Sequence, residues 1–358
     1  MCGILGWLGQ HGPDDESRFG AALDLLAHRG PDDRGVMAES GVLLGHRRLS
    51  ILDLTATGHQ PMTEPLSNAT IVFNGEIYNH IELRTELENI GHQFIGHSDT
   101  EVLLHALNEW GEQALSRLNV MWAFAYWQPD KQQLLLARDR FGVKPLYYRQ
   151  GAEGLAFSSE PKALISLFPE HRAVSEQTLL DFLSNNVLYA RGESFYQGIH
   201  VMPPAHYAIY DASNKNLSLS RYWDYPQSAD VTLSAEDAVK QFDELFTDAV
   251  RLRLRSDVPV GLTLSGGLDS TGVLAAATPY SAKSLICFTS IYGGGELGEL
   301  SWAEIATDAV HAPLIPVAAQ QEDWLITLSK VAWHMDGPGY SPAVYPLWHL
   351  MQRACAEG

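Results

Sequence analysis

The chain opens Met1-Cys2-Gly3, and the rest of the sequence is arranged around these three residues. A cysteine directly after the initiator methionine can become the first residue of the mature chain. Its small side chain permits removal of the methionine, which frees an α-amine on the residue that carries the thiol. An α-amine has an ordinary pKa of about 8, so near neutral pH it can act as base to its own side chain. A thiol near neutral pH is only a few per cent thiolate, and an adjacent base raises that fraction. One residue then holds a nucleophile and its base. From position alone, a small buried residue is the commoner reading. An anion-holding site further along the chain is what would overturn it.

The whole chain narrows the field. Its 358 residues are enough for two domains, and 46% hydrophobic content supports sizeable cores. A formal net charge of -19 argues against non-specific binding to nucleic acid or anionic membranes, which needs basic patches. No stretch is long and apolar enough to span a bilayer, and no basic segment with an apolar run opens the chain, so no secretion signal is expected. Cys2, Cys287 and Cys355 form neither a metal spacing nor a disulfide framework, which suits a reducing cytoplasm.

Residues 2–8 predict an apolar strand and 9–15 a turn. A helix follows from about Glu16, with Phe19, Leu23, Leu26 and Ala27 at helical spacing, and stops at His28-Arg29-Gly30-Pro31-Asp32. Residues 42–44 and 49–54 read as strands on either side of His46-Arg47-Arg48. Residues 71–73 are another, broken by Asn74-Gly75-Glu76-Ile77-Tyr78-Asn79. His80–Asn89 reads as a helix, and Ser98 with Glu101 forms a capping box for a helix reaching Trp110. Residues 121–127, 133–138, 146–149 and 155–158 are strands, with Arg138-Asp139-Arg140-Phe141-Gly142-Val143-Lys144-Pro145 between the second and third. Many short strands with few helices suggest two stacked sheets flanked by helices.

Three polar clusters carry candidate chemistry. Arg48, followed by Leu49, Ser50, Ile51 and Leu52, offers a rigid fork suited to a carboxylate; a surface ion pair is the commoner use. In Asn74-Gly75, a glycine N–H and an asparagine amide together suit a developing oxyanion, an effect worth roughly 3–4 kcal/mol per donor. A plain Asn-Gly hairpin turn is the competing reading. Asp99, near a helix start, suits a ligand ammonium; the alternative is capping, which Ser98 already supplies. A nucleophile for an amide, donors for its oxygen, a cation for a carboxylate and an anion for an ammonium together fit one molecule, glutamine.

These stretches, with Ile4 after Gly3 and Thr100 and Glu101 after Asp99, resemble the glutaminase domain of asparagine synthetases. That domain is an N-terminal-nucleophile (class II) glutamine amidotransferase. The resemblance runs in order from Met1 to about Pro204. It implies an αββα sandwich, Cys2 as nucleophile, and Asn74 and Gly75 as oxyanion hole. It also implies that Arg48, Leu49, Ser50, Ile51, Leu52, Asn74, Gly75, Glu76 and Asp99 bind glutamine.

Residues 197–205 and 207–210 read as the last strands of a first domain spanning 1–210, and 211–235 as a linker. Ser234-Ala235-Glu236-Asp237 then caps a helix with Val239, Phe242, Leu245, Phe246, Ala249 and Val250 on its apolar face. Residues 259–264 predict a buried parallel strand leading into Ser265-Gly266-Gly267-Leu268-Asp269-Ser270-Thr271 and a helix over 272–277. Glycines that bare backbone N–H groups, hydroxyls and a helix N-terminus suit a phosphate. Asp269 suits Mg²⁺, which takes one or two carboxylates plus phosphate oxygens. A tight turn capped by Ser265 is the plainer alternative. Strands at 284–290 and 314–317, a Gly-rich loop at 292–298, and helices at 300–310 and up to His334 complete a parallel α/β pattern.

The heptad resembles the pyrophosphate loop of the N-type ATP pyrophosphatases, which follows the glutaminase domain in asparagine synthetases. The resemblance implies a partial adenine-nucleotide alpha-hydrolase-like domain over 236–358 that uses ATP and Mg²⁺. In it, Leu264, Ser265, Gly266, Gly267, Asp269, Ser270 and Ser290 would bind ATP. Asp336, in Met335-Asp336-Gly337-Pro338, would act as general base on ammonia; an ordinary turn residue is the equal alternative. The family's later strand, second phosphate loop and helical region are absent here. A fragment is therefore expected, with glutaminase activity and little ATP-dependent synthesis. The expected reaction is that of a cytoplasmic, often dimeric asparagine synthase: glutamine, ATP and aspartate to asparagine, glutamate, AMP and pyrophosphate. Amidation of another carboxylate, such as a sugar uronate or a peptide, and a non-catalytic regulatory relative are the alternatives.

Overall fold

The computed structural model describes residues 1–39, 41–189, 191–228, 232–281, 285–291, 299–319, 324–339 and 341–357. It divides into two compact units, Met1–Gln227 and Ser228–Gly358.

The first unit holds two six-stranded antiparallel sheets. One runs β10 (His200–Val201), β8 (Tyr147–Gly151), β9 (Gly154–Ser158), β1 (Gly3–Leu8), β3 (Val42–Arg48), β2 (Asp33–Glu39). The other runs β12 (Asn216–Arg221), β11 (His206–Asp211), β7 (Gln133–Arg138), β6 (Val120–Gln128), β5 (Thr70–Ile77), β4 (Met62–Thr63). The helices are α1 (Pro13–Asp24), α2 (His80–Asn89), α3 (Asp99–Trp110), the one-turn α4 (Ala114–Arg117), α5 (Pro161–Leu167) and α6 (Glu176–Asn185).

Period-two alternation sorts the side chains into three cores. Between the sheets, Ile4, Leu8, Leu44 and Phe157 meet Val72, Ala123, Ala125 and Leu136. Outside the first sheet, Leu5, Trp7 and Ala156 pack on Phe19 and Leu23 of α1 and Leu164 of α5. Outside the second, Phe73, Trp122, Phe124 and Tyr126 pack on Leu83 and Leu87 of α2 and Leu103 and Leu107 of α3. The αββα sandwich expected from the resemblance is the fold of this unit. Each fully buried Leu or Phe stabilises it by about 1.5–3 kcal/mol.

Several local readings change. Residues 49–54 form a loop, whereas β3 runs on through His46-Arg47-Arg48, because β1 pairs with it as far as Gly3 opposite Arg47. Asn74-Gly75 is no hairpin turn. β5 passes straight through it, with Asn74 opposite Ala123 and Gly75 opposite Trp122. A Cβ on Gly75 would stand 2.5 Å from the Met121 carbonyl oxygen and 2.7 Å from Trp122 Cβ, so only glycine fits that pairing. α1 starts at Pro13, earlier than Glu16, because Pro suits the first helical position and the Asp15 carboxylate accepts the Gly12 N–H at 3.1 Å. β2, α5 and α6 were not foreseen. β12 lies inside the stretch read as linker; it pairs with β11 along its length, so the first unit continues to Gln227. Ser98 caps α3 as read, its hydroxyl accepting the Glu101 N–H at 3.2 Å.

In the second unit, α7 (Ala235–Arg253) is capped by Ser234, which accepts the Asp237 N–H at 3.1 Å. β13 (Gly261–Thr263), α8 (Leu268–Ala277), β14 (Ile286–Ile291), α9 (Leu300–Val310), β15 (Leu314–Ala318), α10 (Trp324–Met335) and α11 (Val344–Ala356) follow. The three strands are parallel and adjacent in chain order. Leu264, Leu274, Leu285, Cys287 and Ala303 form the core. On α7, Phe246 and Val250 pack while Val239, Phe242 and Leu245 are exposed. β13 is not the buried strand expected, since Gly261 and Thr263 are exposed. The Gly-rich stretch 292–298 lies outside the described residues. Among the described residues, no helix is long and apolar enough to cross a membrane.

Candidate active site

The start of β1, the end of β3, the middle of β5 and the start of α3 converge on a small cavity of the first unit. It has a volume of about 90 Å³ and is lined by Cys2, Arg48, Asn74, Gly75, Asp99 and Lys144, among others. A water needs about 10–15 Å³ on this measure, so the space suits a few waters or one small polar molecule.

Cys2 is partly buried, and its sulfur meets both backbone groups of Leu49. The Leu49 N–H donates to Sγ at 3.4 Å, and the thiol donates to the Leu49 carbonyl at 3.6 Å. Arg29, in the turn after α1, donates Nε–H to the Cys2 carbonyl at 2.9 Å and pairs with Glu160 at 2.8 Å. Burial pushes the thiol up; the hydrogen bond from Leu49 opposes this. Burial also takes the Met1 amine down to about 6.

Alternation along β5 turns Asn74 toward the space between the sheets, the same side as Val72. Its side chain is fully buried, and neither Nδ2 nor Oδ1 has a hydrogen-bond partner. A buried amide left unpaired costs about 1–3 kcal/mol, so the Asn74 side chain keeps a donor and an acceptor available to a polar group in the cavity. The strand is held from both sides: Gln60 accepts the Phe73 N–H at 2.7 Å and donates to Thr100 Oγ1 at 3.1 Å, and His46 Nε2 lies 3.0 Å from the Phe73 carbonyl.

Asp99 is buried at the first turn of α3, where one oxygen accepts the Ile77 N–H at 2.9 Å. Burial pushes its carboxyl up to about 7; the Ile77 bond opposes this and the Glu76 charge adds to it. Arg48 is buried with its guanidinium turned to the 49–55 loop. It donates to the Thr55 carbonyl at 2.9 Å, the Leu52 carbonyl at 3.2 Å and the Asp53 carbonyl. Leu49, Ile51, Leu52, Gly75 and Glu76 line the cavity; Ser50 does not, and its N–H is held by Asp32 at 2.7 Å.

Sequence reasoning missed Lys144, Gln60, Phe73 and Thr100, which line the same cavity. For Lys144 the available signal was the polar, mixed-charge stretch 138–145 between two strands.

In the second unit, Gly267 caps α8 and Gly266 takes a left-handed φ of 75°. Ser265 and Ser270 bond to each other, with their hydroxyl oxygens 3.0 Å apart. Leu264 is buried in the core, so only its backbone can face a ligand. Ser290, on β14, has a buried hydroxyl without a partner. Asp269 lies in the first turn of α8. Among the described residues no cluster of three or more His, Cys, Asp or Glu could hold a metal, so a cation here would rely on one carboxylate and ligand oxygens. Asp336 follows α10 with φ 52°, on a different element from the loop.

Comparison with known proteins finds two family matches. Residues 1–223 match the model described as glutamine amidotransferase domain, and residues 241–358 the one described as asparagine synthase. Asparagine synthetase (glutamine-hydrolyzing) 3 of Bacillus subtilis is 40% identical over 79% of this chain and 46% of its own length. Asparagine synthetase (glutamine-hydrolyzing) 1 of the same organism is 32% identical over 99% of this chain and 56% of its own. Amidase chyE of Penicillium rubens is 33% identical over 70% and 37%. The chain thus spans about half the length of the curated relatives it matches.

Proposed function

The chain belongs to the asparagine synthetase family, as a glutamine amidotransferase domain followed by part of a synthase domain, and from that premise we propose that it hydrolyses L-glutamine at Cys2. What supports this reading is the fully buried, unpartnered Asn74 amide in one cavity with the Cys2 thiol.

After methionine removal, the Cys2 α-amine takes the thiol proton. The sulfur attacks the side-chain carboxamide carbon, a C–S bond forms, and the carbonyl π pair moves to oxygen. Asn74 Nδ2–H and the Gly75 N–H are the donors for that oxyanion. The intermediate collapses as the protonated amine returns its proton to the leaving nitrogen; the C–N bond breaks and ammonia departs. Water then cleaves the thioester to glutamate and thiol. Asp99 would take the substrate ammonium and Arg48, through the loop it holds, its carboxylate.

The second unit would bind ATP at Ser265–Ser270 and Ser290, and Asp269 would hold Mg²⁺, which would offset the phosphate charge. There an acceptor carboxylate oxygen would attack the α-phosphorus of ATP and release pyrophosphate, and ammonia, giving up a proton to Asp336, would displace AMP from the acyl-adenylate. The acceptor would be L-aspartate. Amidation of a different carboxylate is the second reading, since relatives of similar identity do not all carry the asparagine synthetase name, one being named an amidase. Three free cysteines fit a reducing, cytoplasmic setting.

Glutamate release by the parent beside Cys2→Ala is the test. Equal rates would mean that Cys2 is not the nucleophile. Pyrophosphate release, assayed separately with aspartate and other carboxylates, tests the second unit.

A further inference from the structure

Lys144 is a cation that this reaction leaves without a task. It lines the cavity beside Cys2 and Asn74, only 5% exposed. Its position is built rather than incidental. Asp139, buried in the same loop, accepts the Lys144 N–H at 3.0 Å and the Trp122 N–H at 3.2 Å on one oxygen. Its other oxygen accepts the Phe141 and Val143 N–H groups, both at 3.0 Å. Arg138 donates to the carbonyls of Lys144 at 2.8 Å, Gly142 at 2.7 Å and Met202 at 2.7 Å. The loop is thereby locked onto β6 and β7 with Lys144 at its inner end.

An ammonium taken this far from water is costly unless negative charge lies near. The groups that face it are Glu76 from β5, Cys2 and the terminal amine at the start of β1, Arg29 from the turn after α1, and Asp139 from its own loop. Asp99, at the start of α3, faces the thiol as well. Glu76, Asp99 and the Cys2 sulfur line the cavity with Lys144; of the three, Glu76 and Cys2 are the ones that act on its ammonium, and Asp139 is already occupied by backbone N–H groups.

We propose that Lys144 is a positioning residue for the nucleophile: paired with Glu76, its ammonium stabilises the Cys2 thiolate and keeps the neighbouring α-amine in its neutral, proton-accepting form. The electrostatic balance runs the same way. Burial pushes the thiol up, and Lys144 pulls it back down; at the Met1 amine, whose place at the chain start the Cys2 amine takes once the methionine is removed, burial lowers and Lys144 lowers further. The inference rests on the glutaminase reading of Cys2.

The experiment uses the full chain carrying Cys355→Ser, with iodoacetamide as probe and mass spectrometry to follow the Cys2 peptide. Alkylation needs no turnover, so it separates the two claims. Lys144→Met is expected to move the alkylation profile up by about one pH unit, making labelling near pH 7 about tenfold slower, with parental rates restored at high pH. Lys144→Arg is expected to restore the parental profile. Glu76→Gln, which removes the negative partner, is expected to move the profile down. A Lys144→Met profile with the parental midpoint, whether or not the rate falls uniformly, overturns the proposal, as does an upward shift in Glu76→Gln. A parent that releases no Cys2-dependent glutamate sinks the glutaminase reading instead, whatever Lys144 does.

Discussion

The sulfur of Cys2 and the backbone of Leu49 are matched group for group: the Leu49 N–H donates to Sγ at 3.4 Å and the Leu49 carbonyl accepts from the thiol at 3.6 Å. The thiol is therefore aimed by the loop after β3, and that loop is held by the Arg48 guanidinium on three of its carbonyls.

Arg48→Met should release this loop. Charge-assisted hydrogen bonds contribute about 1.5–3 kcal/mol each, so a loss of roughly 3 kcal/mol in denaturant unfolding is expected. Cys2 alkylation should lose its single rate and glutamine turnover should fall. Unchanged unfolding and labelling would show that the guanidinium does not organise the loop.

Asn74→Ala separates stability from catalysis. Removal of an oxyanion donor should lower kcat by about 10²–10³-fold with little change in KM. Because the Asn74 amide is buried without a partner, its loss should leave the thermal midpoint equal or higher. A marked drop in the midpoint would place the amide among the structural hydrogen bonds instead.

Asp99, held up near 7 by burial, should make glutamine binding depend on pH. Only the carboxylate can pair with the substrate ammonium, so KM should fall as pH rises from about 6 to 8. Asp99→Asn should raise KM and flatten that dependence. A parental KM constant across the range contradicts the assignment.

Glu160 governs acid stability. Burial pushes its carboxyl up, but His28 at 3.1 Å, Arg29 at 2.8 Å and Lys162 at 2.5 Å outweigh this and bring it down to about 2. A depressed carboxyl contributes stability above its unfolded value of about 4.3, and that contribution is lost as pH falls toward the folded value. Unfolding free energy should therefore drop by about 3 kcal/mol between pH 4.5 and pH 2. Glu160→Gln should be less stable near neutrality, with a flatter acid limb. Parallel limbs would refute the role.

What could be read from the chain beforehand follows a physical line. Trp122, Phe124 and Tyr126 alternate with Ala123, Ala125 and Trp127, and the two sets face different cores, so β6 was legible as a two-faced strand. β2 and β12 lie at sheet edges with mostly exposed side chains, and no apolar alternation announces them. Asn74-Gly75 reads locally as a turn, and only the approach of Trp122 from a distant strand decides otherwise. Cys2 could be singled out as a candidate because the chemistry of a thiol beside a chain terminus is local. Lys144 was not, because its place beside Cys2 depends on how β6 and β7 return the chain to the cavity.

The position of β12 bears on how the amidotransferase half should be produced alone. Cut after Tyr210, the protein would lose a strand that covers β11 from His206 to Asp211, leaving a row of N–H and C=O groups bare to any second molecule. Such a product is expected to precipitate through strand-to-strand pairing. Carried on to Gln227, it keeps β11 covered by β12, the mostly polar, exposed edge strand of the intact sheet, and should remain monodisperse.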